Sequence, residues 1–326
     1  MKKLIVLFLT ILLAFTSLVA CNDNQDKISI YAPDGAPALA LATVMKKGFT
    51  NAEINIVASD KISSVVTGSE KKADICILPI NMASKLIGSG DDYKMLGTIT
   101  HGNFYFLSSA DISVTRDNLS VLVGKTIGVM QIQNVPGLTL KCSLEAQNVE
   151  YATIQDTSEK VANKVNLLGI NKVETARDDI DLFLIPSPQA DAKELSTSLK
   201  VVGSLSEIYG ENGFPQAIIV VKNSVLDKNL AFVKDFVNEL KNAKNYLKEE
   251  NKAEILTLIN SKIESGLTPV FNENNLTNTS IERSKIQFIS AKNAKETADN
   301  FIQKLKNLQP DSVKEFSENF YYLGDL

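Results

Sequence analysis

The chain has 326 residues, 38 acidic and 34 basic side chains, a formal net charge of −4, one histidine, three cysteines and no tryptophan. That balance excludes the basic footprint of a nucleic-acid binder, and at this length two cores are expected rather than one. One histidine and scattered thiols fall short of a tetrahedral zinc set, and neither a Gly-x-x-x-x-Gly-Lys nor a Gly-x-Gly-x-x-Gly pattern occurs, so no metal and no cofactor is expected.

The amino terminus places Lys2 and Lys3 before an apolar stretch from Leu4 through Phe15, which ends in Leu18, Val19, Ala20 and Cys21. This is the pattern of a secretory leader over residues 1–20, too short for a membrane span and closed by small residues. The residues before Cys21 resemble a bacterial lipobox, which implies cleavage there, lipidation of Cys21 and a chain anchored at the extracytoplasmic face of the cell membrane. Residues 21–27 then read as a polar tether. Loss of Lys2 and Lys3 with a leader that has no acidic residue takes the net charge from −4 to −6.

The folded part opens with "ISIYAPDGAPALALATVMKK" (28–47), where period-two apolar residues give way to Pro33, Asp34, Gly35, Ala36 and Pro37 and then to good helix formers. This predicts a strand, a tight turn and a helix with proline in its first turn. Such a turn leaves helix N–H groups free at the carboxyl edge of a sheet, where Gly35 and Ala36 would admit a ligand close to the backbone. Strand-like runs follow at 52–59, 73–80, 93–100, 103–109, 125–130, 149–154, 181–186, 199–205 and 216–222, most of them separated by helical stretches. The alternation predicts an α/β protein with mostly parallel sheets flanked by helices. Beyond Lys222 the pattern becomes long amphipathic helices, with Phe232, Phe236, Leu240, Ala243 and Leu247 forming a packing stripe. Cys76 and Cys142 read as small buried hydrophobes, not as a disulfide.

The glycine-containing segments "THGN" (100–103) and "YGENGFPQ" (209–216) read as crossings between two lobes. Residues 28–102 with 215–326 would then form the first lobe and residues 103–214 the second, with strand-end loops lining the cleft between them.

In order and spacing, "YAPDGAPALALA", "ADICILPINMASKL", "LVGKTIGV", "NVPGLTLK" and "GFPQAIIVVKNSVL" make the chain resemble the type II solute-binding lipoproteins of bacterial ABC importers. The likeness is to the group that binds nitrate, sulfonates and thiamine-pyrimidine compounds. It implies a two-lobe type II periplasmic-binding-protein-like fold that closes on a small solute and presents it to a membrane permease with its ATPase, acting as a monomer and not as an enzyme. Ligand-binding residues nominated on that basis are Asp34, Gly35, Ala36, Pro37 and Asn81 in the first lobe, and Gln133, Asn134, Val135, Ser187 and Gln189 in the second. His101, Asn103, Phe214 and Gln216 join them from the crossings.

Two helix amino termini would favour an anion such as a sulfonate, but the nominated loops carry no arginine or lysine, and Asp34 would repel one unless it caps its own helix. Their amide, hydroxyl, imidazole and aromatic side chains suit a nitrogen heterocycle held by Asn and Gln and stacked on Phe104, Tyr105 or Phe214. An enzyme on the same fold, of the pyrimidine- or menaquinone-synthesis type, is the alternative, although its cytoplasmic setting conflicts with the lipobox. A surface adhesin or purely structural lipoprotein is a further alternative. His101 is flanked by turn residues and has no sequence neighbour suited to nucleophilic catalysis.

Overall fold

The computed structural model describes residues 27–173 and 177–326; the leader, Cys21 and the tether up to residue 26 lie outside the described residues. The chain runs β1 (Ile28–Pro33), α1 (Ala36–Ala40), α2 (Ala42–Lys47), β2 (Ala52–Val57), α3 (Ile62–Val66), β3 (Ile75–Pro79), α4 (Ile80–Leu86) and β4 (Tyr93–Thr100). It continues with β5 (Phe104–Ser108), β6 (Thr126–Met130), α5 (Val135–Ala146), β7 (Tyr151–Ile154), β8 (Val165–Ile170), β9 (Leu182–Pro186), α6 (Gln189–Ser196), β10 (Lys200–Ser204) and α7 (Leu205–Tyr209). Then come β11 (Ala217–Lys222), α8 (Asn223–Tyr246), α9 (Lys252–Asn260), α10 (Asn278–Arg283), β12 (Ile286–Ser290) and α11 (Ala291–Leu308).

Two six-stranded sheets result, in the orders β12-β4-β11-β3-β1-β2 and β10-β5-β9-β6-β8-β7. The parallel expectation holds where βα units repeat: β1 lies parallel to β2 and β3, and β6 to β8 and β9. It does not hold where the chain crosses between sheets. There β11 is antiparallel to both β3 and β4, and β5 is antiparallel to β9 and β10; β12, reached without leaving the first sheet's side, is also antiparallel to β4, so both sheets are mixed. A strand that enters a sheet from the neighbouring sheet, without a crossover helix, can pair in the opposite sense.

Alternation along β1 buries Ile30 and Ala32, and β3 is apolar on both faces because helices cover both. One face of the first sheet packs on α8 and the residue after it through Phe232, Phe236, Leu240, Ala243 and Leu247, the stripe read from the sequence, joined by Val233 and Val237. The other face shares a continuous apolar core with the second sheet, from Leu78 and Met95 through Phe104 and Phe214 to Ile127, Val129 and Leu184. Helices α5 and α11 meet across this junction, with Leu138, Leu144, Phe301 and Leu305 in the same core. The outer face of the second sheet carries a smaller cluster around Leu107, Phe183 and Ile185. Cys76 is buried and Cys142 half-buried, both as free thiols, with burial pushing the Cys142 thiol up to about 11.

Candidate functional site

Because β1 is parallel to β3, and β6 to β9, the turns after Pro33, Pro79, Met130 and Pro186 all leave the carboxyl edges of their sheets. That is where α/β folds leave helix N–H groups and loop side chains free for a ligand. Gly35 adopts φ +100, a region that favours glycine, and a side chain there would meet no other part of the chain within 4 Å. On the second sheet Gly137 lets α5 start tightly after Pro136, since a Cβ at that position would stand 2.0 Å from the Ile132 carbonyl oxygen. The two edges meet: the Asn81 amide, on the first turn of α4, lies 3.5 Å from the Asn134 Oδ1 that precedes α5.

The crossings sit beneath this junction. The Gln216 N–H donates to the Thr100 carbonyl (2.9 Å), its Oε1 accepts from the Asn103 N–H (2.9 Å), and its carbonyl accepts from the Ile80 N–H (3.1 Å). Asn103 in turn bridges to the second edge, its carbonyl accepting from the Ser187 N–H (2.8 Å) and its Nδ2 donating to the Ser187 carbonyl (3.1 Å). A carbonyl can only accept, so this contact fixes the amide orientation and leaves Asn103 Oδ1 as the free acceptor. Asn103 Oδ1 and Asn81 Oδ1 are both buried without a hydrogen-bond partner. A buried acceptor left unmet costs about 1–3 kcal/mol, so each of these two atoms asks for a donor; Thr100 Oγ1, Thr126 Oγ1, Asn223 Oδ1 and the Tyr246 hydroxyl are also buried without a partner.

The remaining nominated residues divide into those at the rim and those committed elsewhere. Asp34 is buried, its Oδ1 accepting from the Gly35 N–H and its Oδ2 from the Val270 N–H, each at 2.7 Å. It fastens the turn to the 262–277 segment, and it does not cap α1, whose first turn receives no side-chain cap. Burial pushes its carboxyl pKa up against these two hydrogen bonds. Ala36 is buried and Pro37 half-buried in the first turn of α1. Gln133 and Asn134 are exposed, and the Gln133 side chain accepts from Gln309 Nε2 at 2.6 Å, while Val135 is buried at the start of α5. Ser187 is buried and Gln189 half-buried at the head of α6.

Three of the expectations fall on residues that the structure packs or engages elsewhere. Phe214 is 1% exposed, closes over Gly102 and stacks on Phe301 with ring centroids 5.6 Å apart, so it packs in the core that the two sheets share. Phe104 and Tyr105 are likewise buried, the Tyr105 hydroxyl donating to the Arg283 carbonyl. His101 turns away toward β12, with Nε2 2.9 Å from the Gln287 carbonyl oxygen, and burial lowers its pKa. It lines a separate cavity of about 670 Å³ with Glu207, Lys244, Lys285 and Gln287, which has no other nominated residue in its wall. None of that cavity's side chains is a buried polar group without a partner, so it lacks the unmet demand found at Asn81 and Asn103. Among the described residues, no three His, Cys, Asp or Glu side chains gather where they could hold a metal, and no helix is long and apolar enough to cross a membrane.

Sequence reasoning missed the contribution of residues 262–285. Glu264 pairs its backbone with Ile56, Val270 binds Asp34, and Ser280 and Arg283 reach Ser187 and Asp191, so this segment spans from one carboxyl edge to the other. Its only sequence signal is a cluster of Asn, Pro and Gly without helical or strand periodicity.

No protein-family model matches the chain, and no curated protein sequence matches it. Solved structures do. An ABC transporter from Parabacteroides distasonis is 18% identical, with 91% of this chain and 98% of that chain covered at a TM-score of 0.66. The periplasmic aliphatic sulphonate binding protein SsuA from Escherichia coli is 14% identical, with coverage of 92% and 95% and a TM-score of 0.62. A Candida albicans gene product described as exhibiting the generic periplasmic binding protein structural fold is 12% identical, with coverage of 90% and 98% and a TM-score of 0.50. With two mixed sheets joined by paired crossings and covered by helices, the chain has the periplasmic binding protein fold.

Proposed function

We propose that this chain is the solute-capturing lipoprotein of an ABC importer, held at the extracytoplasmic face by lipid on Cys21. Residues 28–102 with 215–326 form one lobe and residues 103–214 the other. They close on a small polar solute and deliver it to a membrane permease and its ATPase. A ligand that touches both lobes favours the closed form by its differential affinity, and release to the permease follows when the lobes part.

The observation that carries this reading is the pair of buried, unpartnered acceptors, Asn81 Oδ1 on the first edge and Asn103 Oδ1 at the crossing bound to the second. Both ask for a donor, and Asp34 in the opening turn of the first edge carries acceptors and no basic group. Donor N–H groups on a neutral or weakly basic nitrogen heterocycle meet that demand, with Ser187, Gln189, Gly35, Ala36, Pro37, Gln133, Asn134, Val135 and Gln216 shaping the remainder of the cleft. A sulfonate, as bound by the Escherichia coli protein, would need donors where these atoms offer acceptors. Binding without chemistry accords with His101, whose Nε2 is engaged by a backbone carbonyl away from the edges.

The test is extraction of whatever accompanies the protein purified from its own host, with identification by chromatography and mass spectrometry. A small N–H-bearing ring compound, recovered unchanged after incubation with fresh protein, supports the proposal. A sulfonate or other anion overturns the ligand class, and a chemically altered compound overturns the binding role.

A further inference from the structure

We propose that Arg283 is a positioning residue that couples closure of the two lobes to the Ser187 edge, an inference that rests on the solute-capture reading above. Helix α10 belongs to the first sheet's side of the molecule. Its start is tied to the turn that follows α8 by reciprocal bonds between Glu249 and Asn278, at 3.0 and 3.1 Å, and β12 follows it directly into the first sheet beside β4. From this base Arg283 reaches across to α6 on the second sheet's side. Its Nη1 donates to Asp191 Oδ1 at 2.7 Å and to Glu194 Oε2 at 3.0 Å.

The second oxygen of Asp191 accepts from the Ser187 hydroxyl, and that hydroxyl also lies 3.4 Å from the Ser280 carbonyl oxygen on α10. The guanidinium sits 5.4 Å over the Tyr105 ring, whose hydroxyl holds the Arg283 carbonyl. One cation therefore joins two carboxylates one helical turn apart, and the Asp191 side chain is only 7% exposed. Breaking such a pair from one side leaves buried charge uncompensated, a larger effect than at a surface ion pair. Without Arg283 the carboxylates of Asp191 and Glu194 repel each other, and the arrangement that holds Ser187 at the edge loses its cross-lobe support. In a two-state clamp this shifts the population toward the open form without touching any solute atom. Lysine would keep the charge but not the planar guanidinium that lies over the Tyr105 ring while one of its nitrogens serves both carboxylates.

The experiment is small-angle X-ray scattering of the chain lacking its leader, without added solute, alongside its melting temperature. A compact chain of about 300 residues has a radius of gyration of about 19 Å, which sets the scale for the wild type. Arg283→Gln and Asp191→Asn are each expected to shift the radius of gyration and maximum dimension upward, with Arg283→Lys falling between Arg283→Gln and wild type. Wild-type scattering profiles for both Arg283→Gln and Asp191→Asn, with only the melting temperature lowered, would overturn the proposal and leave α10 a simple staple. If Arg283→Gln fails to fold, the isosteric Asp191→Asn decides alone. Because the readout needs no solute, its failure is distinct from failure of the solute-capture reading, which the extraction experiment tests.

Discussion

At the scale of single residues, the site is organised by what each polar atom lacks or already has. Asp34 sits in the turn that first marked the edge, yet both its oxygens are spent on backbone N–H groups of Gly35 and Val270. Asp34→Ala leaves those two N–H groups without acceptors in a buried turn, and each orphan costs about 1–3 kcal/mol. The expected outcome is a fall in stability of that order, read by urea denaturation as a lower midpoint with an unchanged slope. Asn81 and Asn103 show the opposite condition, since each retains a buried acceptor without a partner. Both were legible in the sequence as residues of a turn and a crossing. Which of their atoms is free was not, because for Asn103 it depends on where the Ser187 carbonyl falls more than eighty residues away, and for Asn81 on where Asn134 Oδ1 falls on the other edge.

Among elements, the βα units announced themselves and the short, compromised strands did not. The alternation in Ile28–Pro33 and the apolar run in Ile75–Pro79 survive into β1 and β3 because helices bury those strands as their patterns require. Strand β8 escaped notice because Asn166 interrupts its apolar run; in the structure that side chain bonds Val161 N–H and the carbonyls of Val161 and Lys164, so it serves the preceding turn. Strand β12 escaped because its five edge residues, four half-buried and Gln287 exposed, lie just before the lysine-bearing α11 and read as part of an amphipathic helix.

Helix α6 carries a further consequence through Glu194, which faces Arg283, Lys200 and the neighbouring Asp191. Burial opposes its ionisation, but the Val201 N–H and the Arg283 guanidinium outweigh that and hold its pKa below the usual 4.5. A carboxyl with a lowered folded pKa contributes stability that is present above its unfolded value and lost as pH falls through its folded one. The melting temperature of wild type should therefore exceed that of Glu194→Gln at neutral pH, with the difference shrinking as the pH drops below about 4.3. A difference that stays constant across that range would contradict this role for the ionised carboxylate.

For the whole molecule, two sheets meet at their carboxyl edges through Asn81 and Asn134, and their connecting crossings are locked by Gln216 and Asn103. Glycine-bearing segments at 100–103 and 209–216 pointed to the crossings, and apolar periodicity pointed to the sheets. The 262–285 segment that bridges the edges carries no periodic signal, so its place emerges only from the fold. A clamp occupied at one hundred times its dissociation constant gains about 2.7 kcal/mol of stability, so bound solute should be measurable on the intact protein. Native mass spectrometry of the protein from its own host, wild type beside Asn81→Ala and Asn103→Ala, tests the central claim most directly. The expected outcome is an added small-molecule mass on wild type that both variants carry at much lower occupancy while their secondary structure is retained; equal occupancy in all three proteins, or a wild type that carries and accepts no small solute, would contradict solute capture at these two residues.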